Sequence, residues 1–497
     1  MDANGTKFHL LLGKDDWSRL TNERGRALAE LWALPFGQRE QVKTHWNEAA
    51  SELTLAPRLF QFAPAPKDNA PTLDDRRGAG RDRFGNWYWI DSTEREILVN
   101  SAGSGSTSHF WSDCDGVACE ASPRFGEFVP VESTTINGDA VGTPALTGFK
   151  LRGLAVTEDH YLVVGVLQPA GLLIFDLHAG GSPRQIFWPE ETGFAPFDIS
   201  PRPGGGVWIL DRDFSDSSRP ARFWALDRHF SIESPASPAP AQPDDFQPVD
   251  GGVTRFDQSR AFAGGVSLET SSPPVAIDAI AIEALPDGTV LILDRNHSEP
   301  FSLIRHYDFE RELDTPLSTE AMAGLIEKDK QQGFTLRAHD FAFEPASTAT
   351  KENWGTLYIV EEQGNQSFAF TLVGEPGQLE LDPLAEYLPM RLFTGRGLVR
   401  AGTGVFYDFS SGWVPLIEQR RPRYATEAVI ETPIEPVWFD GREPECVWHR
   451  LMLDACIPPE TRVEVWSRAA NEASEVPFTQ WQPEPSLYSR SDGSEKP

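Results

Sequence analysis

The chain has 497 residues, of which 40% are hydrophobic, and this is enough for a large propeller with additions or for two or three domains. Its formal net charge of −30 makes the surface acidic, which excludes nucleic acid and anionic lipid as partners held by bulk electrostatics. Glycine (41 residues) and proline (40 residues) are abundant, which favours turn-rich β structure over helical bundles. No apolar run approaches the roughly 20 residues of a membrane-spanning helix.

The N-terminal region does not resemble a secretion signal. Asp2 stands where a signal peptide carries positive charge, and the apolar stretch covers only residues 8–12. This stretch is a candidate strand, while apolar residues at helical spacing predict helices over 23–32 and 38–55. Residues 1–75 are therefore predicted to be an N-terminal arm with short helices.

From about residue 76 a hairpin with a return strand recurs six times. In each copy an apolar strand leads through a turn into a second strand that ends in an acid or a glycine, and a third strand follows. This pattern predicts a β-propeller, because one blade cannot bury both of its faces and ring closure buries them against neighbours. The copies are RFGNWYWID (83–91), LAVTEDHYLVVG (154–165), FDISPRPGGGVWILD (197–211), IAIEALPDGTVLILD (280–294), FAFEPASTATKENWGTLYIVEE (341–362) and GLVRAGTGVFYD (397–408).

Two stretches interrupt the repeat and are assigned as inserted loops. The Pro-rich residues 233–252 fit neither a strand nor a helix, and residues 316–333 are predicted to be a helix with a Ser/Thr cap and a glycine stop. The propeller is placed over 76–428 with about six blades. Closure by a strand borrowed from 1–75 stays open.

After the propeller the pattern changes. Residues 446–456 and 462–466 are predicted to be two strands around the turn IPPET, within an incomplete β-sandwich-like module over 429–497. The fold class is thus mainly β, with a propeller, a short helical N-terminal region and this partial module. Ten extended residues span ~33 Å, so Cys446 and Cys456 do not pair along a straight strand. Cys114 and Cys119 are interpreted as loop thiols, with a disulfide or a metal pair as the alternatives.

The sequence contains no GxSxG, HExxH, CxxC or phosphate-loop signature, so no enzymatic activity, catalytic residue or cofactor is expected. Weak candidates for a metal site are Asp211, Asp294 and Glu361, which end equivalent central strands. They would form a ring of carboxylates on one face of the propeller, as calcium requires, or they would cap turns and stay solvated.

The C-terminal region resembles a family of phage-tail-like proteins encoded with contractile injection systems, in which an NHL-like propeller precedes a β-module with the pattern W-H/R-R-x-x-x-D-x-x-I-P-P-x-T-R-V. FHLLLGKDDW (8–17) and GAGRDRFGNWYWIDSTEREIL (78–98) are similar to the same family. The matching residues are Trp448, His449, Arg450, Asp454, Ile457, Pro458, Pro459, Thr461, Arg462 and Val463, then Trp481, Pro483, Glu484, Pro485, Tyr488, Arg490, Asp492, Gly493, Ser494 and Glu495.

The resemblance implies a structural, non-catalytic component of a contractile phage-tail-like particle, extracellular or cell-anchored, near the baseplate or the tail exterior. It implies assembly in the bacterial cytoplasm, baseplate, sheath or tube proteins as partners, and neither nucleic acid nor a membrane span. Since relatives continue past the last matched residue, the module is expected to be a fragment or to be completed by another chain. Partner contacts are expected at Trp448, Arg450, Arg462, Trp466, Trp481 and Tyr488.

Two other functions stay open. A propeller module that binds a glycan or a protein would mediate target contact, and loop aromatics would support it. A calcium-dependent hydrolase of the lactonase type would instead require the three carboxylates to converge. The aromatic residues expected in exposed loops are Phe110, Trp111, Trp188 and Trp413.

Overall fold

The structure is a computed structural model in which the chain separates into two compact units. One unit combines residues 1–35, 41–56 and 424–497, and the other combines 36–40 and 57–423. The described residues are 9–34, 41–48, 50–59, 78–112, 150–180, 183–216, 219–233, 253–255, 264–270, 275–296, 298–326, 333–402, 404–410, 412–419, 423–433, 439–443, 445–448, 451–458, 461–484, 490–491 and 494–495.

The first unit joins the two ends of the chain. Thr21 and Glu431 exchange two main-chain hydrogen bonds of 2.9 and 2.8 Å, and Ile430 packs against a small core that includes Leu28 and Leu31. The predicted borders at 75/76 and 428/429 stay a prediction, and the first of them lies outside the described residues. The N-terminal elements are α1 (Lys14–Ser18), α2 (Leu28–Trp32), β1 (Thr44–Asn47), β2 (Glu52–Leu55) and, at the boundary of the second unit, β3 (Pro57–Arg58).

Two of the N-terminal predictions are wrong. Strands β1 and β2 form an antiparallel hairpin where a helix was predicted over 38–55. Val42, Thr44 and Trp46 are buried and the residues between them are more exposed, which is the two-residue period of a strand rather than of a helix. Residues 9–12, predicted to be a strand, have no regular structure.

The second unit is a six-bladed β-propeller, and all six predicted repeats form blades. Each blade is an antiparallel meander whose first strand lies innermost. The strands are β4 (Ala79–Arg81), β5 (Trp87–Ile90), β6 (Glu96–Asn100) and β7 (Thr107–Ser112) in blade 1; β8 (Lys150–Val156), β9 (Tyr161–Gln168), β10 (Gly171–Asp176) and β11 (Arg184–Phe187) in blade 2; β12 (Pro196–Pro201), β13 (Val207–Asp211), β14 (Arg222–Leu226) and β15 (Ile232–Glu233) in blade 3, followed by β16 (Val253–Arg255) on β11 and β17 (Val266–Ser267) on β14; β18 (Ala279–Ala284), β19 (Val290–Asp294), β20 (Leu303–Tyr307) and β21 (Leu317–Ser318) in blade 4; β22 (Ala338–Thr350), β23 (Asn353–Glu361), β24 (Gln366–Val373), β25 (Glu380–Pro383) and β26 (Leu388–Pro389) in blade 5; and β27 (Phe393–Ala401), β28 (Gly404–Phe409) and β29 (Gly412–Pro415) in blade 6.

Each pair of neighbouring blades encloses its own hydrophobic cluster. In β13, Trp208 and Leu210 pack toward blade 4, whereas Val207 and Ile209 pack toward blade 2. Alternate residues of one strand therefore enter different clusters, and both faces of the strand are buried. This explains why the central strands are apolar throughout instead of alternating with polar residues.

The inner strands run in the same direction around the ring. The Oδ2 atom of Asp198 in β12 accepts a 2.8 Å hydrogen bond from the main-chain N–H of Ile282 in β18. Asp340 in β22 makes the equivalent 2.6 Å bond with the N–H of Leu398 in β27. We call the face on which these inner strands begin, and the second strands end, the entry face.

Side-chain packing joins blade 6 to blade 1 at what we call the closing interface. Trp87 of β5 stacks on Trp413 of β29 with ring centroids 5.2 Å apart and meets Phe406 of β28 edge to face. In the described residues, blade 6 has three strands, and no blade combines strands from both ends of the propeller sequence. The N–H of Leu416 donates to Val405 of β28, so the N–H position of the preceding residue, Pro415, faces away from β28. Because proline has no N–H, it offers no donor to another strand at this open edge.

The predicted insertions differ in outcome. Within 316–333, β21 leads into a 3₁₀ helix over Thr319–Leu325, and the Ser318 hydroxyl caps it by accepting from the N–H of Glu320. The cap is thus confirmed, although the turn is tighter than an α-helix. Residues 327–332, and 234–252 of the Pro-rich stretch, lie outside the described residues.

The predicted hairpin of 446–456 with 462–466 is wrong for the described residues. Among the described residues, only short strands are present here. The side chains of residues 446–448 and 451–458 are exposed at odd and even positions alike, so no described sheet covers either face of this stretch. The remaining elements are β30 (Arg423–Tyr424), β31 (Trp466–Ser467), the 3₁₀ helix Val476–Phe478, β32 (Gln482–Pro483), β33 (Arg490–Ser491) and β34 (Ser494–Glu495), with β31 paired to β32 and β33 to β34.

The bond from Asp198 to the next blade provides a test of the ring. Replacing Asp198 by Ala leaves the buried N–H of Ile282 without this acceptor, so we expect the free energy of unfolding to fall by about 1–3 kcal/mol in urea titrations. Glu310→Ala, at an exposed position in the neighbouring blade, is the control and should change it by no more than about 0.5 kcal/mol. Equal effects of the two variants would contradict the role of Asp198.

Candidate functional site

Asp211 ends β13 and is fully buried among cationic and N–H donors. Its Oδ1 lies 2.5 Å from Arg219 Nη2, and its Oδ2 lies 2.6 Å from Arg222 Nη2. The Trp224 indole N–H donates to the same Oδ2 at 3.1 Å, and the N–H of Ala195 donates to Oδ1 at 3.0 Å. The carboxylate thus ties the third strand of blade 3 and the loop before β12 to the second strand.

Asp294 occupies the equivalent position in blade 4 and has a similar partner. Its Oδ2 lies 2.9 Å from Arg305 Nε, while Arg305 Nη1 lies 2.9 Å from Glu312. Burial acts to lower the pKa of Arg305, but the carboxylates of Asp294 and Glu312 outweigh it, so the pKa of Arg305 is raised. Glu361 ends β23, where its Oε1 accepts a 3.0 Å bond from the N–H of Asn365.

The three predicted metal candidates are therefore engaged by neighbours within their own blades. Among the residues that the structure describes, no group of three or more His, Cys, Asp and Glu side chains is placed to hold a metal ion. Their hydrogen bonds and ion pairs explain Asp211, Asp294 and Glu361 as residues that fix the strand ends. These contacts do not support a calcium site on the propeller axis.

A second ionic cluster, missed from the sequence, joins blades 3 and 4 at the entry face. Asp278, just before β18, lies 2.5 Å from Arg212 Nη2 and 2.8 Å from Arg295 Nε. Burial opposes ionisation of Asp278, but the two guanidinium groups outweigh it and hold its pKa below the ordinary value. Arg212 and Arg295 each follow a second strand that ends in Ile-Leu-Asp. The repeated sequence ILDR (209–212 and 292–295) is therefore the signal that could have identified them.

A hydrogen-bonded chain of side chains crosses blade 4 and was also missed. His306 Nδ1 lies 2.5 Å from Asp314 Oδ2, His306 Nε2 lies 2.7 Å from Thr289 Oγ1, and that hydroxyl donates to Asp287 at 2.6 Å. The order acid, imidazole, hydroxyl is that of a catalytic triad.

Its surroundings favour a structural tie over nucleophilic catalysis. The N–H of Thr289 donates to Asp287 and the N–H of Gly288 donates to Leu285, so neither donor is left for an oxyanion. Asp314 Oδ1 also accepts from the N–H of Leu379 in the next blade. The chain of bonds therefore fixes a hairpin turn to β20 and to blade 5.

The aromatic residues expected in exposed loops are mostly core residues, so that expectation is corrected. Phe110 and Trp111 pack between blades 1 and 2, because they lie on the outer strand β7 rather than in a loop. Trp188 stacks on Phe194 at 4.0 Å inside the cluster between blades 2 and 3. Trp413 is half-buried at the closing interface.

The first unit instead exposes many large apolar side chains. We call the described residues 446–448 and 451–458 the C-terminal segment. Its exposed apolar side chains include Leu451 (64% exposed), Met452 (70%) and Trp448 (49%), the last of which contacts His9 and Phe439 through its ring. Monomeric proteins rarely leave so many large apolar side chains of one short stretch in water, unless the stretch binds something.

The predicted partner-contact residues are distributed along this unit. Trp448 and Trp466 are about half exposed, Arg462 pairs with Glu464 at 3.1 Å, and the Arg468 guanidinium lies 4.2 Å from the centre of the Trp481 ring. Arg450 and Tyr488 lie outside the described residues, as do Cys114 and Cys119. Cys446 and Cys456 are free and exposed. None of the described helices is long and apolar enough to span a membrane.

Comparison with known proteins gives structural likeness only. No protein-family model matches the chain, and no curated protein does. Solved structures that match include virginiamycin B lyase from Staphylococcus aureus (10% identity over 69% of this chain and 93% of that chain, TM-score 0.35), regucalcin from Agrobacterium tumefaciens (13%, 70% and 86%, TM-score 0.33) and the PQQ-bound aldose sugar dehydrogenase from Streptomyces coelicolor (12%, 76% and 98%, TM-score 0.38).

These comparisons correct the expectation that the chain is not an enzyme. A lyase and a dehydrogenase are among the structures that it resembles, so the propeller fold gives no ground for excluding catalysis. At about 10% identity their reactions are not transferred to this chain.

The partners of Asp211 allow the anchor role to be separated from a calcium role. Asp211→Asn leaves Arg219 and Arg222 without their carboxylate, and breaking such a buried pair costs about 3–5 kcal/mol of unfolding free energy. We expect the same loss in calcium and in EGTA. Asp213→Asn, two residues further on and partly exposed, is the control. A loss seen only in calcium would indicate a metal site.

The buried side chain of His160 should make the free energy of unfolding depend on pH. It lies in the turn between β8 and β9 at φ 69°, is 3% exposed, and its ring nitrogens have no hydrogen-bond partner among the described residues. Burial, and next the charge of Arg83, hold the pKa of His160 below its ordinary 6.5, although Asp82, whose Oδ2 lies 3.8 Å away, opposes this.

A depressed histidine pKa means that the unfolded chain takes up a proton first as the pH falls. The contribution of neutral His160 is therefore complete above pH 6.5 and is lost as the pH falls through that value. We expect His160→Asn, which tolerates the left-handed backbone, to reduce the loss of unfolding free energy between about pH 7.5 and pH 5. His229→Asn, at a half-buried position of blade 3, is the control and should reduce the loss less.

Proposed function

We propose that this chain is a protein-binding propeller that contacts its target through the C-terminal segment. The observation that carries the proposal is the exposure of six large apolar side chains within residues 447–457. Such side chains are the usual anchors of protein interfaces once a partner covers them. The six are Val447, Trp448, Leu451, Met452, Leu453 and Ile457.

The described side chains of the propeller give less support to the two other functions. Binding of a glycan has less support, since Phe110, Trp111 and Trp188 are buried. A calcium-dependent hydrolase also has less support, because Asp211 and Asp294 are paired with arginines.

The resemblance at 446–495 supplies the class of partner in this proposal. It favours a protein of a contractile tail-like particle, near the baseplate or the tail exterior. This narrower statement rests on the resemblance alone and is tested separately, by asking whether the chain sediments with sheath and tube proteins.

Photo-crosslinking tests the proposal directly. Benzoylphenylalanine replaces Met452 in the full chain, and lysate of the source cells is irradiated. We expect a crosslink to one defined protein, since this position is 70% exposed. Phe84→benzoylphenylalanine, at a 64% exposed aromatic position on the propeller, is the matched control and should not give that product.

Apolar contact predicts the effect of polar substitutions on the crosslink. Leu451→Ser with Leu453→Ser should lower the affinity for the crosslinked protein by roughly 10–100-fold, because two large apolar side chains that the partner would bury are lost. Absence of a specific product at position 452, or an unchanged affinity of the double variant, contradicts the proposed function. If the product is not a particle protein, only the narrower class of partner fails.

A further inference from the structure

We propose that the C-terminal segment binds by donating a β-strand to the edge of a sheet in its partner, and that this edge is rimmed by lysine or arginine. The inference rests on the proposed function and names its binding mode. The proposed function states that a protein binds the segment, and the inference states the backbone geometry of that binding.

The main chain of the segment is unpaired. Residues 446–448 and 451–457 have no helix, turn, bend or strand pairing, and no main-chain hydrogen bond is made by them. Their N–H and C=O groups are therefore open to an external ladder. Only another strand edge satisfies such a row of alternating donors and acceptors at regular spacing.

The side chains have the period of a strand with one mainly apolar face. At odd positions every described residue is apolar, His449 lies outside the described residues, and the even positions include the carboxylate of Asp454. A helix would mix these two sets on each of its faces, and Pro458 would stop it. The odd face comprises Val447, Leu451, Leu453, Ala455 and Ile457.

The exposed area suits a specific interface. Six exposed apolar side chains, at roughly 100 Å² each, supply on the order of 600 Å², close to the ~800 Å² that each partner gives to a standard interface. Main-chain pairing adds to this without further side-chain area. The segment thus offers most of the area that one partner gives to a standard interface.

Charge distinguishes among possible occupants. In the described part of residues 439–458, the exposed charged side chains are the carboxylates of Asp440, Glu443, Glu445 and Asp454 and the guanidinium of Arg442, so the net charge is negative. Arg450 lies outside the described residues and leaves the net charge of the stretch negative. A partner edge carrying lysine or arginine would complement this negative charge. A second copy of this chain, with a net charge of −30, would bring more negative charge to the same place and is therefore disfavoured.

The binding mode is tested on the full chain with the purified protein that crosslinks through position 452 as the probe. Proline is introduced singly at positions 452 to 456, and each variant is compared with glycine at the same position. Both replace the native side chain, but only proline removes the N–H donor. Strand addition on one edge uses every second N–H, so we expect proline to weaken binding about tenfold or more relative to glycine at alternate positions, and about threefold or less at the others.

Hydrogen exchange in the complex gives an independent measurement. The amides protected on binding should be those at which proline is harmful, again at every second residue. Continuous protection through the segment would indicate a helix, and proline-to-glycine ratios without alternation would indicate side-chain contact alone. Either result overturns strand donation while leaving protein binding intact.

The charge of the edge is tested by Glu443→Gln with Glu445→Gln. We expect a several-fold loss of affinity at low salt that disappears near 1 M salt, because screened charges no longer attract. Tighter binding by this variant overturns the basic rim. Failure to obtain any specific crosslink belongs to the proposed function, so the two failures are distinguishable.

Discussion

Burial between facing blades is the constraint on which the rest of this structure depends. A blade has two apolar faces, and a single sheet cannot cover both of them with its own residues. Six clusters solve this by taking alternate residues of one strand into different interfaces. Because the blades pack closely, polar side chains can also join them. Asp198 and Asp340 each accept a hydrogen bond from a main-chain N–H on the inner strand of the next blade.

Ion pairs at the strand ends hold neighbouring strands of the propeller together. Asp211 and Asp294 end second strands and are bound by arginines of third strands. Asp278 connects two blades by pairing with Arg212 and Arg295. A terminal acid in an apolar strand can thus hold arginine as well as metal, and a sequence does not say which until the distances are known.

The sequence predicted the six blades because strand period and turn residues are local properties that repeat. It failed for residues 38–55, where widely spaced apolar residues fit a helix as well as the alternation of Val42, Thr44 and Trp46. It failed for the aromatic residues because exposure depends on the neighbouring blade: Phe110 and Trp188 are covered by residues far away in sequence. His306 and Asp314 lie eight residues apart with no recognisable motif, so their contact required the folded chain. The same limit applies to 446–456, where a strand-like pattern lacks the neighbouring sheet that would make it a strand.

The closing interface has a consequence for the order of events during synthesis. Trp87 and Trp89 emerge early from the ribosome, but blade 6, which covers them, is complete only at residue 415. At ordinary elongation rates this delay lasts roughly 15 to 65 s. During that time the open arc of blades presents Trp87 and Trp89 to solvent, and this is the surface that a holdase chaperone would recognise on the nascent chain.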